Sequence, residues 1–199
     1  MALLHLTKSD YIISQWSGGT TTQLAIAPEG AIYADRDFLW RISSATVDLE
    51  ESDFTALPDY HRWISTLEGG MKLTHENGTP IELAPSQVHE FDGGVDTHSW
   101  GKCTDFNLML RKGQAQGHVR SLSLDAGQSA LVQAENADPA FANTQLLVYC
   151  GDGCAEISAN GEMVRVNASE SVYLKDATGI SLNIQAQERC RFMIAQMQY

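Results

Sequence analysis

Apolar residues recur at every second position along most of this chain. In "TDFNLMLRKG" (104–113), Phe106, Leu108 and Leu110 fall on one face of an extended strand, and Asp105, Asn107, Met109 and Arg111 on the other. The same period predicts strands in "FLWRISSATV" (38–47), "RWISTLEG" (62–69), "QLLVYC" (145–150), "GEMVRV" (161–166), "ISLNI" (180–184) and "CRFMIAQM" (190–197). Turn formers separate them: "EGG", "DGG", "GDG", "ATG" and two Asn-Gly pairs at 77–78 and 160–161, a strong hairpin signal. No long helical pattern occurs. The segment 131–144 has room for a short helical turn, but Pro139 and its asparagines favour a loop.

Many short strands at about ten-residue spacing indicate a sandwich or barrel. Residues 66–91 and 148–176 share one plan: strand, glycine turn, strand, Asn-Gly hairpin, strand, polar turn, strand. The chain therefore reads as all-β, two tandem jelly-roll-like β-sandwich units, with the seam in "KGQAQGH" (112–118). We place the units at residues 1–113 and 114–199, packed as one bicupin.

Charge narrows the partners. The 199 residues carry 13 basic and 25 acidic side chains, a net −12, with no basic run, so nucleic acid and anionic membranes are poor partners. The N-terminal "MALLHLTKSDYIISQW" lacks a basic region and a small-residue cleavage site, and no stretch approaches the about 18 apolar residues of a membrane span. A cytoplasmic protein is expected. The four cysteines (Cys103, Cys150, Cys154, Cys190) are irregularly spaced and read as reduced and structural.

Candidate chemistry is sparse. The six histidines show no ligand spacing; His89–Glu90 with His98 can be imagined as metal ligands, but exposed or satisfied histidines are the better reading, and no metal or other cofactor is expected. No nucleophile motif or phosphate loop is present. In "QWSGGTTTQLA" (15–25), Gly18 and Gly19 free backbone amides to approach an anion, and Thr20 and Thr22 offer hydroxyls beside the indole of Trp16. The same string also reads as a glycine turn into a threonine-rich strand. Arg41 and Arg62 interrupt apolar strands, where an arginine either snorkels to an edge or is held in a pocket, with carboxylate the partner its fork suits.

The ordered set "WSGGTTT" (16–22), "FLWRISSATV" (38–47), "FTALPDYHRWISTLEG" (54–69) and "TDFNLMLRKG" (104–113) resembles the HutD/Ves family of bacterial bicupins. The resemblance covers about the first 113 residues; the remainder is only generically cupin-like. It implies two fused cupin units that mostly lack metal-binding histidines, with no firmly assigned catalytic activity. Members occur in histidine-utilisation operons, where a regulatory, ligand-binding role has been proposed, and in a stress-associated protein. Gly18 and Leu24 stand where many relatives carry an Asn and an acidic residue, so the ligand here can differ.

These readings converge on a metal-free binding protein for a small acidic metabolite, such as formylglutamate or urocanate by family association. Its site residues are Trp16, Gly18, Gly19, Thr20, Thr22, Arg41, Arg62, Asp105, Asn107 and Arg111, with no catalytic residue assigned. A homodimer is compatible with this picture. We expect Arg62 to be ion-paired with Asp105. The alternative is a cupin enzyme, an isomerase or lyase, using Asp105, Glu68 or His61 as acid–base.

Overall fold

Each period-two stretch gives a strand in the computed structural model, which describes residues 3–76, 78–135 and 138–199. The chain opens with β1 (Leu4–Leu6), β2 (Ile12–Trp16) and β3 (Gly19–Ala27), followed by a 3₁₀ turn at Tyr33–Asp35, the one helical segment among the described residues. Then come β4 (Trp40–Val47), β5 (Glu51–Asp53), β6 (Tyr60–Gly69), β7 (Met71–His75), β8 (Ile81–Leu83), β9 (Val88–Asp92), β10 (Thr97–Trp100) and β11 (Cys103–Arg111). The second half holds β12 (Gln116–Leu124), β13 (Ser129–Gln133), β14 (Thr144–Asp152), β15 (Cys154–Ala159), β16 (Glu162–Asn167), β17 (Ser171–Leu174), β18 (Ser181–Ala186) and β19 (Cys190–Gln198). The loop between β13 and β14 carries no helix among its described residues.

The chain divides into two units, Tyr11–Gln116 and Gly117–Tyr199 together with the segment up to Asp10. The start of the chain thus differs from the sequence-based division: β1 pairs antiparallel with β17, Leu4 opposite Tyr173 and Leu6 opposite Ser171. Leu3 is buried in the second unit's core.

In the first unit a six-stranded sheet, β2-β3-β4-β11-β6-β9, accompanies a four-stranded one, β5-β10-β7-β8. In the second, β1-β17-β14-β19-β12 accompanies β13-β18-β15-β16. The orders share one plan, β4-β11-β6-β9 recurring as β12-β19-β14-β17 and β5-β10-β7-β8 as β13-β18-β15-β16, while β2 and β3 extend the first large sheet and β1 the second at its other edge. Local details repeat as well. Gly69 and Gly153 both turn at positive φ, where a Cβ would meet the carbonyls of Lys102 and Arg189. A bulge interrupts both β6–β11 and β14–β19 at the same point, before Asp105 in one and after Cys150 in the other. The second Asn-Gly pair closes the β15–β16 hairpin with both residues at positive φ, as a two-residue turn requires. Asn77 of the first lies outside the described residues, between the paired β7 and β8.

The two interiors differ in chemistry. Pairing aligns Arg62–Met109, Ile64–Asn107 and Thr66–Asp105 of the first unit with Leu146–Gln196, Val148–Ile194 and Cys150–Phe192 of the second. Leu146, Val148, Cys150, Phe192 and Ile194 belong to a continuous apolar core with Ile157, Leu182 and Ile184. The first unit has smaller clusters, around Ile64, Leu73 and Phe91 and around Phe38, Tyr60 and Met109.

Candidate functional site

Where the second unit is filled with hydrocarbon, the first keeps a cavity of about 270 Å³. Antiparallel pairing makes it. Arg41, Ser43 and Ala45 of β4 stand opposite Met109, Asn107 and Asp105 of β11, so all six project from one face. β6 adds Arg62 opposite Met109, and β3 adds Thr21 opposite Ala45. Ser14, Trp16, Tyr33, Val47 and the stretch from Ser52 to Thr55, at the end of β5 and just past it, complete the wall. Phe106, Leu108 and Leu110, on the other face of β11, are fully buried.

Both arginines are buried, at 5% and 6% exposure, and among the described residues neither has a carboxylate within 4.0 Å. Arg41 donates from Nε to Gln23 Oε1 (2.8 Å) and from Nη1 to Ser43 Oγ (3.2 Å), and its guanidinium lies over the Tyr33 ring at 4.3 Å. Arg62 donates only weakly, from Nη1 to the Thr55 carbonyl at 3.4 Å, while its Nε is buried without a partner. Its guanidinium lies over Phe54 (4.9 Å) and Phe91 (5.2 Å), contacts that favour a cation without cancelling its charge. Desolvation lowers the pKa of both, that of Arg62 to about 10, which leaves each charged at neutral pH.

Asp105 departs from the sequence expectation. Its Oδ1 accepts from the Ala45 amide at 3.0 Å, but it forms no ion pair with Arg62 or Arg41 within 4.0 Å. Burial pushes its carboxyl up to about 7, against the smaller opposing pull of the Ala45 amide and the two guanidinium groups. Asn107, 5% exposed, leaves Oδ1 buried without a partner. Thr66 Oγ1, on the residue opposite Asp105, is also buried and unpartnered.

Five of the ten expected site residues line the cavity: Trp16, Arg41, Arg62, Asp105 and Asn107. The other five do not, each for a geometric reason. Thr20 and Thr22 stand on the opposite face of β3 from Thr21, which does line it. Gly19 is a close-approach residue, its missing Cβ 1.9 Å from the Thr46 carbonyl oxygen. Gly18 leaves room for the Trp16 ring, which would lie 2.2 Å from an added Cβ. Arg111 sits past Met109 at the end of β11, 5.8 Å over the Tyr60 ring. Sequence reasoning missed Ser14, Thr21, Tyr33, Ser43 and Phe54 among others; of these five, Thr21, inside the threonine string, and Ser43, two residues after Arg41, carried a signal. Of the three acid–base candidates, Asp105 alone lines the cavity.

The described residues contain no group of three or more His, Cys, Asp or Glu placed to hold a metal ion. His98 contacts Asp53 at 2.6 Å, and His89 contacts His75 at 2.9 Å. All four cysteines are free thiols and buried. No helix among the described residues is long and apolar enough to cross a membrane.

The fold has solved counterparts. A conserved protein of unknown function from Pseudomonas aeruginosa PAO1 superposes over 100% of both chains, with TM-score 0.83 at 24% identity. HutD from Pseudomonas fluorescens SBW25 does so over 100% of both chains, with TM-score 0.72 at 23% identity. A cupin 2 conserved barrel domain protein from Leptotrichia buccalis gives TM-score 0.55 at 15% identity, over 94% of this chain and 91% of that one. At these identities the likeness establishes the bicupin fold alone. No curated protein matches the sequence significantly. The HutD family profile, however, matches residues 8–192, nearly the whole chain. This chain belongs to the HutD family.

Proposed function

We propose that the first unit of this protein is a receptor for a small organic anion, a carboxylate, working in the cytoplasm without a metal. The observation that carries this reading is the contrast between the repeated units. The same strand positions that hold Leu146, Phe192 and Ile194 in one barrel hold Arg62, Asp105 and Asn107 in the other. The fold is therefore satisfied by hydrocarbon there, and two buried guanidinium groups without a carboxylate counter-ion are a standing cost that a bound anion offsets. Arginine's planar fork suits a carboxylate. The orphaned Asn107 Oδ1 asks in addition for a hydrogen-bond donor, so an acid that also carries an N–H or O–H fits better than a bare one.

The test is thermal unfolding with a panel of small carboxylates, including formate, acetate, glutarate, formylglutamate and urocanate. A ligand at 100 times its Kd stabilises by about 2.7 kcal/mol. We expect at least one acid to raise Tm in the wild type and not in Arg62→Leu; equal or absent shifts in both proteins refute the reading. A second reading, turnover by an isomerase or lyase, is favoured by one observation. Asp105 is a cavity-lining carboxyl whose pKa of about 7 suits proton transfer near neutral pH. Product formation from any bound acid, lost in Asp105→Asn, would support it.

A further inference from the structure

We propose that anion binding in this cavity is proton-coupled, with Asp105 taking up one proton from water as the anion enters. The inference rests on the receptor reading and adds its regulation: affinity falls as pH rises.

The argument is geometric. Asp105 is 6% exposed and lines the cavity, with Oδ1 fixed by the Ala45 amide and no guanidinium within 4.0 Å of either oxygen. Its second oxygen thus has no fixed donor, and an anion held by Arg41 and Arg62 shares its small space. The charged and titratable groups around it are Arg41 from β4, Arg62 from β6, Tyr33 from the 3₁₀ turn, Asp53 from β5 and Cys103 from its own strand. β2 and β3 contribute only Ser14, Trp16 and Thr21.

With Asp105 ionised and the cavity empty, two cations face one carboxylate across gaps too long for ion pairing. An incoming carboxylate takes over both guanidinium groups and adds a second negative charge beside Asp105. Like charges in a low-dielectric site cannot both persist cheaply, so one must be neutralised. Asp105 is the group that gives way: burial already holds its pKa near 7, whereas the ligand enters with both arginines to favour its charge. The step balances as anion plus proton entering together, leaving Asp105 a neutral acid able to donate to the ligand. Neither arginine titrates in the accessible range, and Cys103, pushed up to about 12, stays a thiol.

The probe is acetate, ionised throughout pH 6.0–8.5, titrated into the full-length protein at constant ionic strength and followed by NMR. In the wild type we expect Kd to weaken towards tenfold per pH unit above the Asp105 pKa. In Asp105→Asn, which mimics the neutral form, Kd should not change with pH. A flat wild-type profile, or the same slope in Asp105→Asn, overturns the proposal. The second outcome would point to His98, whose partner Asp53 lines the cavity. If Asp105→Asn does not fold, mixing acetate with weakly buffered wild type at pH 7.5 reads the proton directly. Uptake of up to one proton per bound anion is expected, and none refutes it. Absence of acetate binding at every pH refutes the carboxylate-receptor reading for this probe and the coupling with it, whereas binding without a pH slope refutes the coupling alone.

Discussion

The imidazoles of His75 and His89 share a single hydrogen bond, Nε2 to Nε2, at 2.9 Å. Its direction follows from the neighbours. Thr97 Oγ1 donates to the Val95 carbonyl, so it accepts from His75 Nδ1–H; His75 Nε2 is then the bare nitrogen, and His89 Nε2–H donates to it. His75 must be neutral for this chain to exist, because its Nε2 accepts, and desolvation lowers the pKa of both rings. Unfolded imidazoles near 6.5 therefore bind protons that the folded pair refuses, so this contribution is present above pH 6.5 and is lost as pH falls. The slope is at most about 1.4 kcal/mol per pH unit per ring, less for rings that water partly reaches. Comparing Tm from pH 7.5 to 5.5, His89→Gln should lose less than the wild type; parallel curves would show the pair to be inert.

Asp105 runs the opposite way. Its folded pKa of about 7 lies above the unfolded value near 3.8, so the folded state holds the proton more tightly. The stability this confers is complete at acid pH and disappears as pH rises from about 4 through 7. Asp105→Asn should therefore gain on the wild type as pH increases over that window, by up to about 1.4 kcal/mol per pH unit. Urea midpoints at pH 5 and pH 8 suffice, and a variant advantage that shrinks with pH contradicts the assignment.

Because Arg62 has no carboxylate partner, replacing it does not strand a buried anion. Leu146 shows that this strand position accepts leucine in the sister unit. Arg62→Leu is expected to be neutral or stabilising, by about 0–2 kcal/mol, while carboxylate binding is lost. A fall in Tm of several degrees would mean that the contacts with Phe54 and Phe91 outweigh the desolvation cost.

Adjacent glycines should behave differently. An alanine at Gly19 meets the Thr46 carbonyl at 1.9 Å with φ near +150°, so β3 or β4 must shift, and a loss of several kcal/mol is expected. At Gly18 the obstacles are side chains and not backbone, the Trp16 ring and Leu49 Cδ1 at 2.8 Å, and both residues are exposed. Gly18→Ala should change indole fluorescence and ligand affinity with a smaller effect on Tm.

The thiols offer a simpler check. Burial pushes Cys103 and Cys150 up to about 12 and Cys190 to about 11. Reaction with a disulfide reagent should be slow in the native protein and reach four equivalents only after denaturation. Fast native labelling would contradict the buried placement.

Strands and their repeat were legible because alternation is a local property, and each inward face is paired with a period-two apolar set. The polar face of β11 was legible for the same reason. Which threonines look inward was not. A bulge between Gln23 and Ala25 breaks the alternation of β3, so counting back from Leu24 and Ile26 selects Thr20 and Thr22 instead of Thr21. The missing Arg62–Asp105 contact was equally out of reach, since a motif carries two charged residues into one cavity without fixing the distance between them. Tyr33 and Phe54 enter from a 3₁₀ turn and from the loop just after the short β5, whose sequences show no periodic signal.

The pairing of β1 with β17 has a consequence for how the molecule comes into being. On the ribosome, residues 11–116 leave the exit tunnel as an uninterrupted set and hold every strand of their own unit. The strand Leu4–Leu6, synthesised before them, must wait unpaired until Ser171–Leu174 has emerged. Growth from one end thus builds the barrel with the cavity first and finishes the solid one last, with the earliest residues held in reserve for the final closure.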